Sequence, residues 1–131
     1  MNPVDNDAVR RAVAAFAIRP EQSTALEVLR QCMFGELLLD VTGSDAPVGG
    51  SFRKGGTLRI NGGTGPDGGR ALFAFSRQSE IARMHDPAVQ TQSLVTSSIG
   101  ALEMVRREQG PWLYIDPVGP YIALSRAELG A

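Results

Sequence analysis

From Arg70 onward the chain alternates strand-like and helix-like stretches in an order that leaves little freedom to the fold. Arg70-Ala-Leu-Phe-Ala-Phe-Ser76 sets Leu72, Ala74 and Ser76 on one face and Ala71, Phe73 and Phe75 on the other. A strand apolar on both faces belongs in the middle of a covered sheet. Two helical patterns follow. The first, with Ile81, Ala82 and Met84, is capped by Ser76 or Ser79 and stops before Asp86-Pro87. The second runs through Ile99, Leu102 and Val105 or Arg106, from a cap at Ser97 or Ser98 to the stop at Gly110-Pro111. Ser93-Leu-Val-Thr96 between them is a short strand candidate. Trp112–Ile115 and Tyr121–Leu124 then read as a terminal hairpin across Asp116-Pro-Val-Gly-Pro120, where Asp accepts a backbone bond, Pro117 presets a dihedral and Gly119 tolerates positive φ.

Upstream, Asp5 or Asn6 caps a helix with Val9, Ala12, Val13 and Phe16 at helical spacing. Pro20 suits the first turn of a second helix, whose face is Ala25, Leu26, Leu29, Cys32 and Met33. Residues 1–34 thus form a helical segment. Glu36-Leu-Leu-Leu-Asp-Val41, too short for a third helix, reads as the first strand. Gly43 to Gly69 hold ten of the fifteen glycines, interrupted by the alternating Thr57-Leu-Arg-Ile-Asn61. So little side-chain surface predicts a short edge strand between mobile loops. The stripes of the first two helices either cover a sheet face or pair with a second copy, which would give a homodimer; one domain needs helices over its sheet, so covering is expected.

Composition excludes several classes of partner. Thirteen basic residues face fourteen acidic ones, and twelve of the thirteen are scattered arginines, Lys54 being the exception. That balance leaves no electrostatic footprint for nucleic acid and no charge block for a membrane surface. A chain of 131 residues suits one domain with its own core. Cys32 is alone, so no intrachain disulfide forms, and a reducing cytoplasm is the simple expectation. The N-terminus lacks the positive region and apolar run of a signal peptide, and no apolar run is long enough for a bilayer.

The motifs that carry chemistry are sparse. Gly63-Thr-Gly65-Pro-Asp-Gly68 has dinucleotide-fingerprint spacing, yet a strand follows it and Pro66 removes an N–H, so an ordinary flexible loop is expected and no cofactor is assigned. Ser51-Phe-Arg-Lys-Gly-Gly-Thr57 lacks the Gly-Lys-Ser/Thr order of a phosphate loop. His85, the single histidine, precedes Asp86, and Ser76, Ser79 or Ser93 could supply a hydroxyl, but none lies in a nucleophile elbow. A His at a helix C-terminus, favoured by the dipole when protonated, is the plainer reading. One His and one Cys far apart hold no metal. Cys32, on an apolar stripe, reads as a small core hydrophobe. Trp112 and Tyr114 alternate with Leu113 and Ile115, so one pair faces the core and the other is partly exposed. Trp112, Tyr114, Asp116 and Tyr121 are therefore the candidate partner surface.

The succession of strand Ala71–Ser76, helix around Ile81, helix Gly100 to Arg107, Trp112-Leu-Tyr-Ile-Asp-Pro-Val-Gly-Pro and Leu124-Ser-Arg-Ala-Glu-Leu129 resembles the N-terminal domain of the SseB-like family. The likeness is carried by residues 70–129, with the Glu36–Val41 strand fitting it as well. Many relatives carry Asn-Pro where this chain has Asp116-Pro117. The resemblance implies a bacterial α+β domain, in a family named for a serine-sensitivity phenotype with some members associated with secretion systems and interaction roles. The expected architecture is a single α+β domain over residues 1–131: a mixed or largely antiparallel sheet of five or six strands, two N-terminal helices, two further helices and a closing hairpin. The expected function is a non-enzymatic, cytoplasmic protein-interaction or accessory module with an unidentified protein partner. A small-ligand-binding or regulatory domain, with Arg77, Arg83 and Asp116 converging on a pocket, is the alternative, and a hydrolase-type enzyme built on His85 comes third.

Overall fold

The computed structural model describes residues 4–43, 60–109 and 112–125. Asn6 begins the first helix and also anchors it. Its Oδ1 accepts the Val9 N–H at 3.1 Å, which caps α1, Asp7–Ile18. Its Nδ2 donates to the Glu36 carbonyl at 2.9 Å and to Ser98 Oγ at 3.2 Å, and its backbone N–H donates to the Ser76 carbonyl at 2.8 Å. One residue thus ties the start of α1 to three other segments.

The second helix, α2, spans Gln22–Gln31 behind a Glu21/Thr24 capping box, so Pro20 precedes the cap instead of opening the first turn. Its buried stripe is Val28 and Cys32 with Ala25 and Leu29 beside them, whereas Leu26 and Met33 are exposed. Positions 25, 28, 29 and 32 follow the 3.6-residue period more closely than a stripe drawn through Leu26 and Met33. In α1 the expected Val9, Ala12 and Val13 are buried, with Phe16 packed against them.

Among the described residues the sheet has six strands: β1 Glu36–Asp40, β2 Gly62–Thr64, β3 Arg70–Phe75, β4 Ser93–Ser97, β5 Trp112–Ile115 and β6 Ile122–Ser125. Their order is β4-β1-β3-β5-β6, with β2 also paired to β3. All pairs are antiparallel except β3 with β5, so the sheet is mixed. The parallel pair needs a crossover, which is built from α3 (Gln78–Ala82), β4, α4 (Ser98–Met104) and a π-helical turn, Val105–Gln109. The chain is therefore a single α+β domain whose last described elements are a β5–β6 hairpin.

The register sorts side chains cleanly onto two faces. Leu37, Leu39, Leu72, Ala74, Leu113, Ile115, Ile122 and Leu124 turn toward α1, α2 and α4, where Val9, Val13, Val28, Cys32, Ala101 and Val105 complete the core. The N-terminal helices thus cover the sheet within one chain. The opposite face is only half covered. There Ile81 of α3 and Met84 just after it lie over Leu38, Phe75 and Phe73, and the rest of β3, β5 and β6 has no helix above it among the described residues.

Of the glycine-rich region only Gly43 and residues 60–69 are described, and the short strand there lies at Gly62–Thr64. Residues 57–59 of the anticipated edge strand lie outside the described residues, but Gly62–Thr64 pairs with β3 through Gly62↔Leu72 and Thr64↔Arg70. A Cβ at Gly62 would sit 2.3 Å from the Ala71 carbonyl oxygen. The absent side chains are what let this backbone close on β3. No helix among the described residues is long and apolar enough to cross a membrane.

Candidate functional site

Three groups of side chains gather around β3, β5 and the hairpin. The first is an aromatic row on the half-covered face. Leu113 and Ile115 are buried in the core, so the alternation turns Trp112 and Tyr114 to the other side. Tyr114 sits opposite Phe73 of β3 and meets it edge-on, with ring centroids 5.6 Å apart and planes at 61°. Tyr121 stacks on the other side of Tyr114, again at 5.6 Å, with the planes 13° from parallel. Both geometries are the favoured ones for aromatic pairs. Tyr121 is 47% exposed and closes the row at the hairpin.

Trp112 belongs to the same face but is held differently. Its indole N–H donates to Asp67 Oδ1 at 2.8 Å, and that oxygen also accepts the Gly69 N–H at 2.9 Å, which together hold the Asp67 carboxyl below its ordinary range. The ring rests on Gly65, where a Cβ would lie 2.2 Å from Trp112 Cδ1. The Gly63–Gly68 segment therefore runs from β2 into the tip of the β2–β3 hairpin, which is closed by Gly65 N–H to the Gly69 carbonyl at 2.6 Å and serves as a seat for the indole. A Cβ at Gly63 would likewise strike the Phe73 ring at 2.5 Å.

Beneath the hairpin lies the second group. Asp116, expected with the aromatics on the exposed surface, is 2% exposed. Its Oδ1 accepts the Ser76 N–H at 2.8 Å and its Oδ2 the Ser76 hydroxyl at 2.7 Å. The carboxylate therefore ties the turn back to the end of β3 and is withdrawn from any partner, which corrects its place on the candidate surface. Its φ of 53° is the left-handed region, where Asp and Asn are the side chains best tolerated. Burial raises its carboxyl above the ordinary value despite the two Ser76 bonds, and nearby Glu80 adds to the rise while Arg10 opposes it. Arg10 Nη1 donates to Ser76 Oγ at 3.3 Å and pairs with Asp5 and Asp7.

Glu80, on α3, is the buried anion beside it. Arg77 Nε reaches Glu80 Oε2 and Arg83 Nη1 reaches Glu80 Oε1, each at 3.1 Å. Arg83 also lies along the hairpin turn, 3.2 Å from where a Gly119 Cβ would stand. Arg77 and Arg83 thus meet on Glu80, whose charge also acts on Asp116, and each is already engaged: the arginines with Glu80, the carboxylate with Ser76. Their spacing supports a rigid mount for the hairpin. Neither Ser76 nor Ser79 caps α3; Arg77 is the cap residue and, having no acceptor, makes no side-chain bond to the helix N–H groups, while the Ser76 hydroxyl donates to Asp116.

The third group contains His85. Its Nε2 meets Asp40 Oδ2 at 2.6 Å, whereas Asp86, the expected partner, accepts the Ala88 N–H instead. Burial pushes the Asp40 carboxyl upward, but hydrogen bonds from Thr42 and His85 outweigh it and leave it below the ordinary value. The pair fastens the segment after α3 to the end of β1. Ser76 is bonded elsewhere, so the His–Ser arrangement considered from sequence is not assembled. Cys32 is buried, and burial pushes its thiol up to about 12. No group of three or more His, Cys, Asp or Glu side chains among the described residues is placed to hold a metal ion.

Sequence reasoning missed Phe73, Glu80 and Asp40. Phe73 was legible from the alternation of β3, and Glu80 from its i±3 spacing to Arg77 and Arg83. Asp40 had no local signal, since 45 residues separate it from His85.

With the fold and these groups in view, the comparison with known families is decisive over nearly the whole chain: the model of the SseB protein N-terminal domain matches residues 9–131. The chain belongs to that family. The match begins in α1 and so takes in both N-terminal helices and the glycine-rich region, beyond the span that carried the resemblance in sequence. No curated protein and no solved structure matches the chain significantly.

Proposed function

We propose that this SseB-type domain is a non-enzymatic, cytoplasmic protein-interaction module that grips its partner with the aromatic row Phe73–Tyr114–Tyr121. The observation that carries the reading is the half-covered sheet face, where three rings stand in register on β3, β5 and the hairpin. Large aromatic side chains in fixed rotamers supply contact area at low entropic cost, and such residues dominate interface energetics. The rest of the site supports rigidity. Asp116, Glu80 and Arg83 brace the hairpin from below, and Gly65 with Asp67 fixes Trp112 at the edge of the row. A small-ligand pocket at Arg77, Arg83 and Asp116 would have to displace bonds those groups already make, so it ranks behind.

The test is capture by the tagged domain from a lysate of the source cell, followed by calorimetry with the captured protein once purified. Tyr121→Ala, at a half-exposed position, is the diagnostic variant, with its melting temperature checked alongside. Affinity should fall at least tenfold with the fold intact. Equal binding by wild type and variant, or no captured protein, removes the aromatic row from the reading.

A further inference from the structure

We propose that β4 is a self-pairing edge, through which two copies of this chain join antiparallel about a two-fold axis at Val95. Among the described residues β4 ends the strand order and has β1 as its one neighbour. The β1–β4 ladder runs Glu36↔Ser97 to Asp40↔Ser93, and it is flanked by Val41 N–H to the Gln92 carbonyl and Ser98 N–H to the Gly35 carbonyl, each 3.0 Å. In an antiparallel ladder bonded and non-bonded pairs alternate. Gln92 and Ser98 face β1, so Leu94 and Thr96 do too, and the main-chain groups of Ser93, Val95 and Ser97 point away from the sheet.

That outward set reads Ser-Val-Ser, the same in both directions. A two-fold axis at Val95 lays Ser93 against Ser97 of the second copy and Val95 against itself. The Val95 pair exchanges both its bonds across the axis. Each Ser97 N–H adds one to the facing Ser93 carbonyl, while the Ser97 carbonyl stays with the first turn of α4, which Ser97 caps. A strand facing its own copy places like charges together, and residues 93–97 carry no charge at all. Free edges are ordinarily guarded by lysine, proline or a bulge; β4 has none of these.

The side chains around the edge agree. Val95 is 49% exposed, and just beyond the Glu36–Ser97 pair stand Phe34, 70% exposed, and Ile99, 39% exposed at the start of α4. Across the two-fold axis each Val95 side chain meets the Val95 of the second copy, which covers this exposed apolar group. A different protein would satisfy the main chain equally well, but it has no reason to match the palindrome or the absence of charge.

Sedimentation velocity across a dilution series tests this with the full chain. Wild type should move from 14.0 kDa at low concentration toward twice that mass. Val95→Lys alone and Val95→Glu alone should each stay monomeric, because like charges meet at the axis. An equimolar mixture of the two should regain the doubled mass, and Val95→Thr and Tyr121→Ala should behave as wild type. A wild type monomeric at every concentration overturns the proposal. So does a Val95→Lys protein that dimerises normally, or a mixture that remains monomeric while both variants keep the wild-type circular dichroism spectrum.

Discussion

Replacing Asp116 separates the contributions that hold the hairpin to the rest of the domain. The side chain supplies two acceptors to Ser76, on a backbone at φ 53°. Asp116→Ala leaves the buried Ser76 N–H without its partner, at about 1–3 kcal/mol. It also puts a residue without a local polar bond in the left-handed region, for about 1 kcal/mol more. The sum, about 3 kcal/mol, corresponds to a melting temperature lower by about 10 °C in a domain of this size. Asp116→Gly should recover the backbone part and keep the acceptor loss. Asp116→Asn retains an acceptor for the Ser76 N–H, tolerates the same φ, and removes a carboxylate whose burial raises it above its ordinary 3.8. A folded-state value above the unfolded one means stability is full below 3.8 and declines as pH rises through the folded value. The Asn variant escapes that decline, so its stability relative to wild type should grow from acid toward neutral pH and then level off. Urea unfolding followed by circular dichroism, repeated across that range, reads all three variants. If Asn destabilises as much as Ala, then the charge facing Arg10, and not the acceptor geometry, holds the turn, and the reasoning fails.

Three further predictions address the other supports. Gly65→Ala drives a methyl into the Trp112 indole and should cost about 1–3 kcal/mol, with a shift in the emission of the single tryptophan; unchanged fluorescence and stability would show that the ring does not rest there. Asp40, held below its ordinary 3.8, contributes stability that is complete above 3.8 and lost as pH falls through its folded value. Asp40→Asn should therefore destabilise the domain at neutral pH and progressively less in acid, a trend that urea midpoints across pH check directly. Cys32, its thiol pushed up to about 12, should ignore an aromatic disulfide reagent in the native state and react at once in denaturant; fast native labelling would contradict its burial.

Much of the fold was legible because β3 carries apolar residues on both faces, a pattern that only a central strand satisfies, and because Gly110-Pro111 and Asp116–Pro120 punctuate the segments around the hairpin. The partition of Trp112 and Tyr114 from Leu113 and Ile115 also follows from strand alternation alone. What escaped the sequence was contact at long range. Nothing near His85 points to Asp40 rather than Asp86, since strand pairing and the course of the chain after α3 decide that meeting. Asp116 read as a turn former, and only the closure of β3 against β5 shows its carboxylate bonded across strands to Ser76. The glycines of Gly62–Gly65 read as looseness because composition reports the missing side chains and not the Ala71, Phe73 and Trp112 groups that fill their places.

The two surfaces lie at opposite ends of the strand order, and that arrangement has a consequence for how the domain would work. β4 is one edge and β6 the other, with β1, β3 and β5 between them. Pairing through β4 leaves the aromatic rows untouched and places one in each outer half of a continuous sheet. With strands spaced about 4.8 Å, seven spacings separate the two β5 strands that carry the centre of each row, roughly 34 Å before twist. A partner that presents two matching segments at that span meets both rows at once, and the second contact forms at the high effective concentration set by the tether. Val95→Lys would then weaken capture of such a partner without altering a single residue of the aromatic row, whereas a partner with one matching segment would bind the monomeric variant as tightly as wild type.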